Sequence, residues 1–351
     1  MVTRDTNVKP KYDAVYAFGM RLEDKPKHRR QCFMAKQLAQ AAKRQEKKTP
    51  PSRLTKRKGS HWQLWLMMIP AIVYMVLFVY KPMGGIVIAF QDYSLKRGIW
   101  GSEWVGFENF QRLFRSYWFP IILKNTLTLS LLSLVLSFPA PIILALAANE
   151  IRSEKRKRTF QTVSYAPHFI STVVVCGMIT VFLSPESGIF NILLKLVGVD
   201  PVAFLAKPNA FKWIYVLSGI WQSVGWSAII YIAALSGVDK NLLEAAEIDG
   251  ANRIQRIRYV NFPVLIPTIV IMFILRCGSI LGVGYEKVYL LQNPANLSAS
   301  EVISTYVYKV GLEKADFGFS TATNLFNNVV NCIVLLLSNK LSKKFSGSSL
   351  F

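Results

Sequence analysis

GVDKNLLEAAEIDGANRIQRIRYVNFPVLIP, residues 237–267, is too polar to cross a bilayer and too regular to be a slack loop. Asp239 or Asn241 can cap a short helix whose apolar positions are Leu242, Leu243, Ala245, Ala246 and Ile248, and Gly250 can supply the left-handed residue that ends it. A second helix is predicted from near Asn252, with Ala251, Ile254 and Ile257 at helical spacing and Arg253, Arg256 and Arg258 on other faces. The first helix has only about two turns, and isolated helices below about 12 residues are marginal in water, so it needs an outside surface to pack on. Ala245 and Ala246 allow close approach, while Glu244, Glu247 and Asp249 give one end a negative charge that a basic cleft could orient. Pro263 and Pro267 open the apolar run that follows and predict a kink there, so the loop is placed to pass force into that run.

Outward from this segment the chain alternates apolar runs with polar connections. A helix needs roughly 20 apolar residues, at about 1.5 Å each, to cross a hydrocarbon core about 30 Å thick. Six runs qualify, at about 64–80, 125–148, 163–183, 213–235, 264–283 and 322–338. The 351 residues are 52% hydrophobic with positive mean hydropathy, so the expectation is an all-α integral membrane protein with six transmembrane helices, not a soluble domain. The formal charge of +22 does not make a nucleic-acid-binding face, because the basic residues lie in tails and short connections.

Those basic residues set the orientation, since cytoplasmic segments carry the excess of Lys and Arg. KKTPPSRLTKRK at 47–58, then Arg152, Lys155, Arg156, Lys157 and Arg158, then Lys340, Lys343 and Lys344 place both termini in the cytoplasm. The connections 91–124, 185–212 and 284–320 mix acids with bases and are expected outside. This divides the chain into a basic cytoplasmic tail at 1–60, a transmembrane domain at 61–340 and a cytoplasmic tail at 341–351. The N-terminal tail is too long and too charged for a signal peptide and reads as disordered or loosely helical, drawn to anionic lipid. Met20 and Met34 are alternative starts. Cys176, Cys277 and Cys332 fall inside predicted spans and Cys32 in the tail; none has metal-ligand or CxxC spacing, and small apolar packing is the expected role.

EAAEIDGANRIQRIRYVNFP, residues 244–263, resembles the EAA loop of binding-protein-dependent ABC importer permeases. Glu244, Ala245, Ala246, Asp249, Gly250, Ala251 and Pro263 fit that pattern, while Ile257 replaces the usual Phe and Phe262 the usual Leu before the proline. IPAIVYMVLFVYKPMGGIVIAFQDYS, WVGFENF, LKNTLTLSLLSLVLSFPAPIILALAANEIR, TVSYAPHFIS and ATNLFNNVVNCIVLLLSNKLSKK look like the polysaccharide branch of carbohydrate importer permeases. The resemblance implies a type I ABC importer permease fold in the bacterial inner membrane. It implies a second permease subunit that is a different chain, two cytoplasmic ATPase subunits that hold ATP and Mg, and an extracytoplasmic solute-binding protein that delivers an oligosaccharide, often of uronic acid type. It also makes 237–263 the coupling segment that docks on the ATPase.

The energy source agrees. Concentrating a sugar a thousandfold costs roughly 4 kcal/mol, at about 1.4 kcal/mol per decade, yet the chain has no GxxxxGK[ST] loop, so ATP is expected to be hydrolysed by another subunit and no cofactor is expected here. Sugars are held by aromatic faces and hydrogen-bonding side chains, and polar groups inside spans are costly. Trp221, Gln222, Trp226 and Tyr231 in the fourth span are therefore candidates for the substrate pathway. So are Asn324, Asn327, Asn328 and Asn331, whose spacing places them on one face of the sixth span, expected to point into the bundle; the plainer role is hydrogen bonding between helices. Arg276, in the outer half of the fifth span, is a candidate for attracting an acidic sugar; its plainer role is snorkelling or pairing with an acid of the second permease. His168 has no catalytic or metal partner nearby and reads as a gate or packing residue, and Lys81 with Pro82 marks the expected outer end of the first span.

Two other classes compete. A secondary transporter or channel would work without an ATPase, and ion coupling would call for a carboxylate within a span; none of the six predicted cores contains Asp or Glu. An intramembrane enzyme would need a Ser with His or two histidines at helical spacing, and neither stands out.

Overall fold

The computed structural model describes residues 62–346. The basic tail with Cys32, Met20 and Met34, and the residues after Ser346, lie outside the described residues. Backbone packing divides the chain into 1–71 and 72–351; the described residues of the first unit form the start of a helix, on which Trp62 and Trp65 are exposed. Apart from one antiparallel pairing of Gln91–Asp92 with Glu103–Trp104, regular structure among the described residues is helical.

Among the described residues, five helices are long and apolar enough to cross a membrane: Trp65–Phe90, Trp118–Asn149, Pro208–Leu235, Arg253–Cys277 and Phe317–Lys344. The third predicted run, 163–183, is not one helix. It is shared between Glu154–Phe169 and Thr172–Phe182, which meet at 93°, and counted as one broken span they complete six. The break has local causes. Pro167 brings no amide to a helical ladder, Ile170 is extended, and Ser171 starts the next helix by accepting the Val174 N–H on its Oγ at 3.4 Å.

Two other boundaries move because prolines are absorbed. The first span does not end at Lys81 and Pro82 but continues to Phe90. A π-helical turn, Val76–Tyr80, precedes that proline, and a second, Ile257–Asn261, precedes Pro263. In each, the amide before the proline reaches back five residues, Lys81 to the Val76 carbonyl and Phe262 to the Ile257 carbonyl. The widened turn relieves the clash between a proline ring and the carbonyl four residues back. So Pro263 follows a change of helical register, and Pro267 lies inside the same continuous span, Arg253–Cys277. That helix stops at Cys277, short of the expected 283, and the last helix, Phe317–Ser346, overruns 322–338 at both ends.

The spans close on each other through four apolar clusters, of which two join spans two and four to their neighbours. Ile142 and Ala145 of span two meet Ala228, Tyr231 and Leu235 of span four and Leu265 of span five. Leu129, Cys176 and Phe211 meet Val288, Leu291 and Val302 from the connection between spans five and six. That connection is itself folded, with helices Tyr285–Leu291, Leu297–Ser300 and Ile303–Tyr308, and it buries Glu301, which accepts from Lys309 Nζ at 2.6 Å and Thr305 Oγ1 at 2.9 Å. Cys176 and Cys277 are buried as expected, whereas Cys332 is exposed on the last helix. Residues 72–83 of the first span are exposed along their whole length.

Candidate coupling loop and translocation surface

The segment after span four folds as two capped helices. Asp239, not Asn241, is the first cap: its Oδ1 accepts the Asn241 N–H at 2.9 Å, and the helix Lys240–Ile248 follows. Gly250 lies at φ +76°, and the amides of Gly250 and Ala251 return to the carbonyls of Glu247 and Ala246 at 3.0 and 2.9 Å. This is a Schellman ending, which a residue with a Cβ enters at a cost of roughly 1 kcal/mol or more. Asn252 then forms a capping box with Gln255 at 2.9 and 2.7 Å, and the helix Arg253–Arg256 runs through the π turn into span five.

Glu244, Ala245 and Asp249 are exposed with Gly250, while Ala246 and Ala251 are half-buried. Leu242, Ile248, Ile254 and Tyr259 are also exposed, Ile248 to 86% and Ile254 to 75%. This apolar surface has no cover within the described residues. On the inner side the loop is pinned by Arg256, which pairs with Glu247 of the first helix and lies 3.8 Å from Glu150, the residue that ends span two. The guanidinium side chain is only 12% exposed, so it is partly shielded from water and ties loop, span two and span five together.

Span four carries the elbow of the third span. Gly225 passes so close to the chain that a Cβ there would lie 2.0 Å from the Ser164 carbonyl oxygen. Gln222 donates to the Ile170 carbonyl at 3.0 Å, and Trp226 stacks on His168 with centroids 4.6 Å apart and planes 7° from parallel. Gln222 and Trp226 thus hold the break, and His168 is a packing partner. Tyr231 is buried in the apolar core with Ala228, Leu235 and Leu265. Trp221 is exposed.

Arg276 is exposed, and among the described residues no carboxylate pairs with it. It lines a cavity of ≈ 30 Å³, about the share of one water molecule, with Ser130 and Ser133 of span two, Tyr215 of span four, and Ser279. A second cation, missed by the sequence reading, stands across the same tyrosine. Lys287 Nζ lies 5.5 Å from the Tyr215 ring centroid with no hydrogen-bond partner among the described residues, and burial pushes its amine down to about 8. The only sequence signal was a lysine beside Val288 in a short apolar helix.

The asparagines of the last helix do not all point into the chain. Asn331 accepts the Leu281 N–H at 2.9 Å and Asn327 is half-buried, but Asn324 and Asn328 are exposed. Amides in a span are costly in lipid, so these two mark a surface that meets protein or water in the assembled molecule. At the far end, a cleft of ≈ 830 Å³ is lined by Arg112, Arg115, Lys314, Glu108 and Asp316, with Arg112 and Asp316 paired at 2.8 Å.

Residues 137–346 match the family described as "Binding-protein-dependent transport system inner membrane component". The chain is 44% identical over 288 residues to the polygalacturonan/rhamnogalacturonan transport system permease protein YteP of Bacillus subtilis, covering 82% of this chain and 90% of that one. It resembles a chain in the crystal structure of a bacterial ABC transporter involved in the import of the acidic polysaccharide alginate, with TM-score 0.76 and 41% identity over 82% of this chain and 96% of the other. A chain of the bacterial alginate ABC transporter in complex with an alginate pentasaccharide-bound periplasmic protein is similar to the same degree, TM-score 0.76 and 40% identity over 83% and 97%. The protein belongs to the binding-protein-dependent transport system inner membrane components and is an ABC importer permease of the inner membrane.

Proposed function

We propose that the chain is one of two permeases in an importer that moves an acidic oligosaccharide across the inner membrane, with both termini in the cytoplasm. It does no chemistry of its own. A solute-binding protein delivers the sugar to the outer face, where the cleft around Arg112 and Arg115 offers a charged docking surface. Two ATPase subunits, holding ATP and Mg, engage Glu244, Ala245, Ala246, Asp249, Gly250 and Ala251 from below. The observation that carries this reading is the uncovered apolar surface of the capped helix Lys240–Ile248, joined by Arg256 to spans two and five. A partner that moves this helix moves both spans.

Sugar contact is assigned to surfaces that the chain leaves open: Trp221, Arg276 with Tyr215 and Ser279, and Asn324 and Asn328. Relatives that handle polygalacturonan, rhamnogalacturonan and alginate support an acidic substrate, and the unpaired Arg276 supplies the complementary charge. The test is purification of the chain from its native membrane in mild detergent. Stoichiometric recovery of an ATPase and a second permease, with hydrolysis stimulated by binding protein loaded with a galacturonate oligosaccharide, is expected. Recovery of the chain alone with ATP-independent transport would make it a secondary transporter. Arg276→Gln should cut uptake of an acidic oligosaccharide about tenfold, the value of roughly one charged hydrogen bond, and undiminished uptake would remove Arg276 from the pathway.

A further inference from the structure

Where spans two and four begin, they enclose a cleft of ≈ 480 Å³ that is separate from the coupling loop and from the Arg276 cavity. Its walls include Tyr117, Trp118 and Lys124 from the start of span two, Asn209 and Lys212 from span four, and Ser298. Neither lysine amine has an ion pair or hydrogen bond among the described residues. Two unpaired ammonium groups facing one cleft repel each other, and an anion between them turns that repulsion into attraction. Tyrosine and tryptophan at a span terminus sit at the level of lipid headgroups, and lysines there reach outward to phosphate.

Below Lys124 the same face of span two changes character. Leu127, Leu131 and Val135 follow at helical spacing and are all exposed, Leu131 to 57% and Val135 to 59%. Lys124 and Val135 are 11 positions apart, or about 16 Å along a helix, close to half of a hydrocarbon core about 30 Å thick. The surface is therefore cationic and aromatic at headgroup level and apolar for the depth of one leaflet. A free anion would use only its upper part, and an acidic sugar has nothing to lay on the leucines.

We propose that this cleft binds one anionic glycerophospholipid of the leaflet in which spans two and four begin, its phosphate between Lys124 and Lys212 and an acyl chain along Leu127, Leu131 and Val135. The lipid wedges the outer ends of the two spans together. The intact complex, purified through this chain and stripped of loosely held lipid, is titrated with dioleoyl phosphatidylglycerol or dioleoyl phosphatidylcholine and examined by native mass spectrometry. Retention of the anionic lipid at least tenfold better than the zwitterionic one is expected. Lys124→Gln with Lys212→Gln should abolish that preference, a drop of roughly thirtyfold for two juxtamembrane charges, whereas Lys124→Arg with Lys212→Arg should keep it.

Leu131→Gln leaves both charges in place and should erase the preference for dioleoyl over dihexanoyl phosphatidylglycerol. Equal retention of the two headgroups by the unaltered complex would overturn the proposal, as would an unchanged preference in the double glutamine variant. Displacement of the lipid by a galacturonate trisaccharide would assign the cleft to sugar instead. A short amine-specific crosslink from Lys124 to another subunit would show that protein covers it.

Discussion

The coupling loop and the elbow of the third span are both helix–turn–helix elements, yet they are built in opposite ways. In the loop, every feature that makes the turn lies within a few residues: the Asp239 cap, Gly250 at positive φ, and the Asn252–Gln255 capping box. In the elbow, Pro167 and Ser171 permit the break, but its contacts come from span four, where Gly225, Gln222 and Trp226 receive the chain. A turn made locally keeps its shape when the rest of the molecule moves. A turn held from a distance follows the element that holds it. The first suits a lever and the second a part of the moving wall.

This contrast can be broken most severely at Gly225. Gly225→Leu places a Cβ against the Ser164 carbonyl that no rotamer can avoid, and should cost about 3 kcal/mol or more. The expected result is loss of folded protein in detergent, read by size-exclusion profile, with a midpoint lowered by roughly 10 °C in any fraction that survives. A normally stable variant would mean that span four does not hold the elbow. Gly250→Pro is expected to abolish transport while membrane levels stay normal, because proline requires φ near −65° where the loop has +76°. Its damage should stay inside the loop, and a drop in folded protein would show that the loop is not locally autonomous.

Arg256→Met leaves both helices capped but unties them from Glu150 and Glu247. ATP hydrolysis should persist while sugar uptake per ATP falls about tenfold, read by paired hydrolysis and uptake assays in proteoliposomes; equal losses in both would place Arg256 in folding rather than coupling. Asn252→Ala removes one cap at a cost of about 1 kcal/mol. It should lower uptake only severalfold, since Gly250 still sets the turn, and a larger loss would make the capping box the dominant local signal.

The same division governs what could be read before folding. The loop was legible to within two residues, its first cap lying at Asp239 rather than Asn241, because Asp239, Gly250 and Asn252 carry their conformations with them. The apolar run 163–183 hid its break, because hydropathy averages over a window in which Pro167 and Ser171 are outvoted by their neighbours. Lys81–Pro82 and Pro263 looked like boundaries, and π turns absorbed them. Trp226 and Gln222 had the chemistry of sugar contacts, and the contacts they make within the chain, to His168 and the Ile170 carbonyl, are ones that no spacing in span four could announce. Lys287 was invisible for the converse reason: a single charge in an apolar turn acquires meaning only beside Tyr215.

Asn324 and Asn328 bear on how the cell counts its subunits. In the two-permease importer proposed above, both amides would meet protein or water; against acyl chains, each unsatisfied amide is expensive. The unassembled chain is therefore marked as such by its own last helix. Under that proposal a copy left without its partner is the less stable one in lipid, and its amount in the membrane should follow that of the partner.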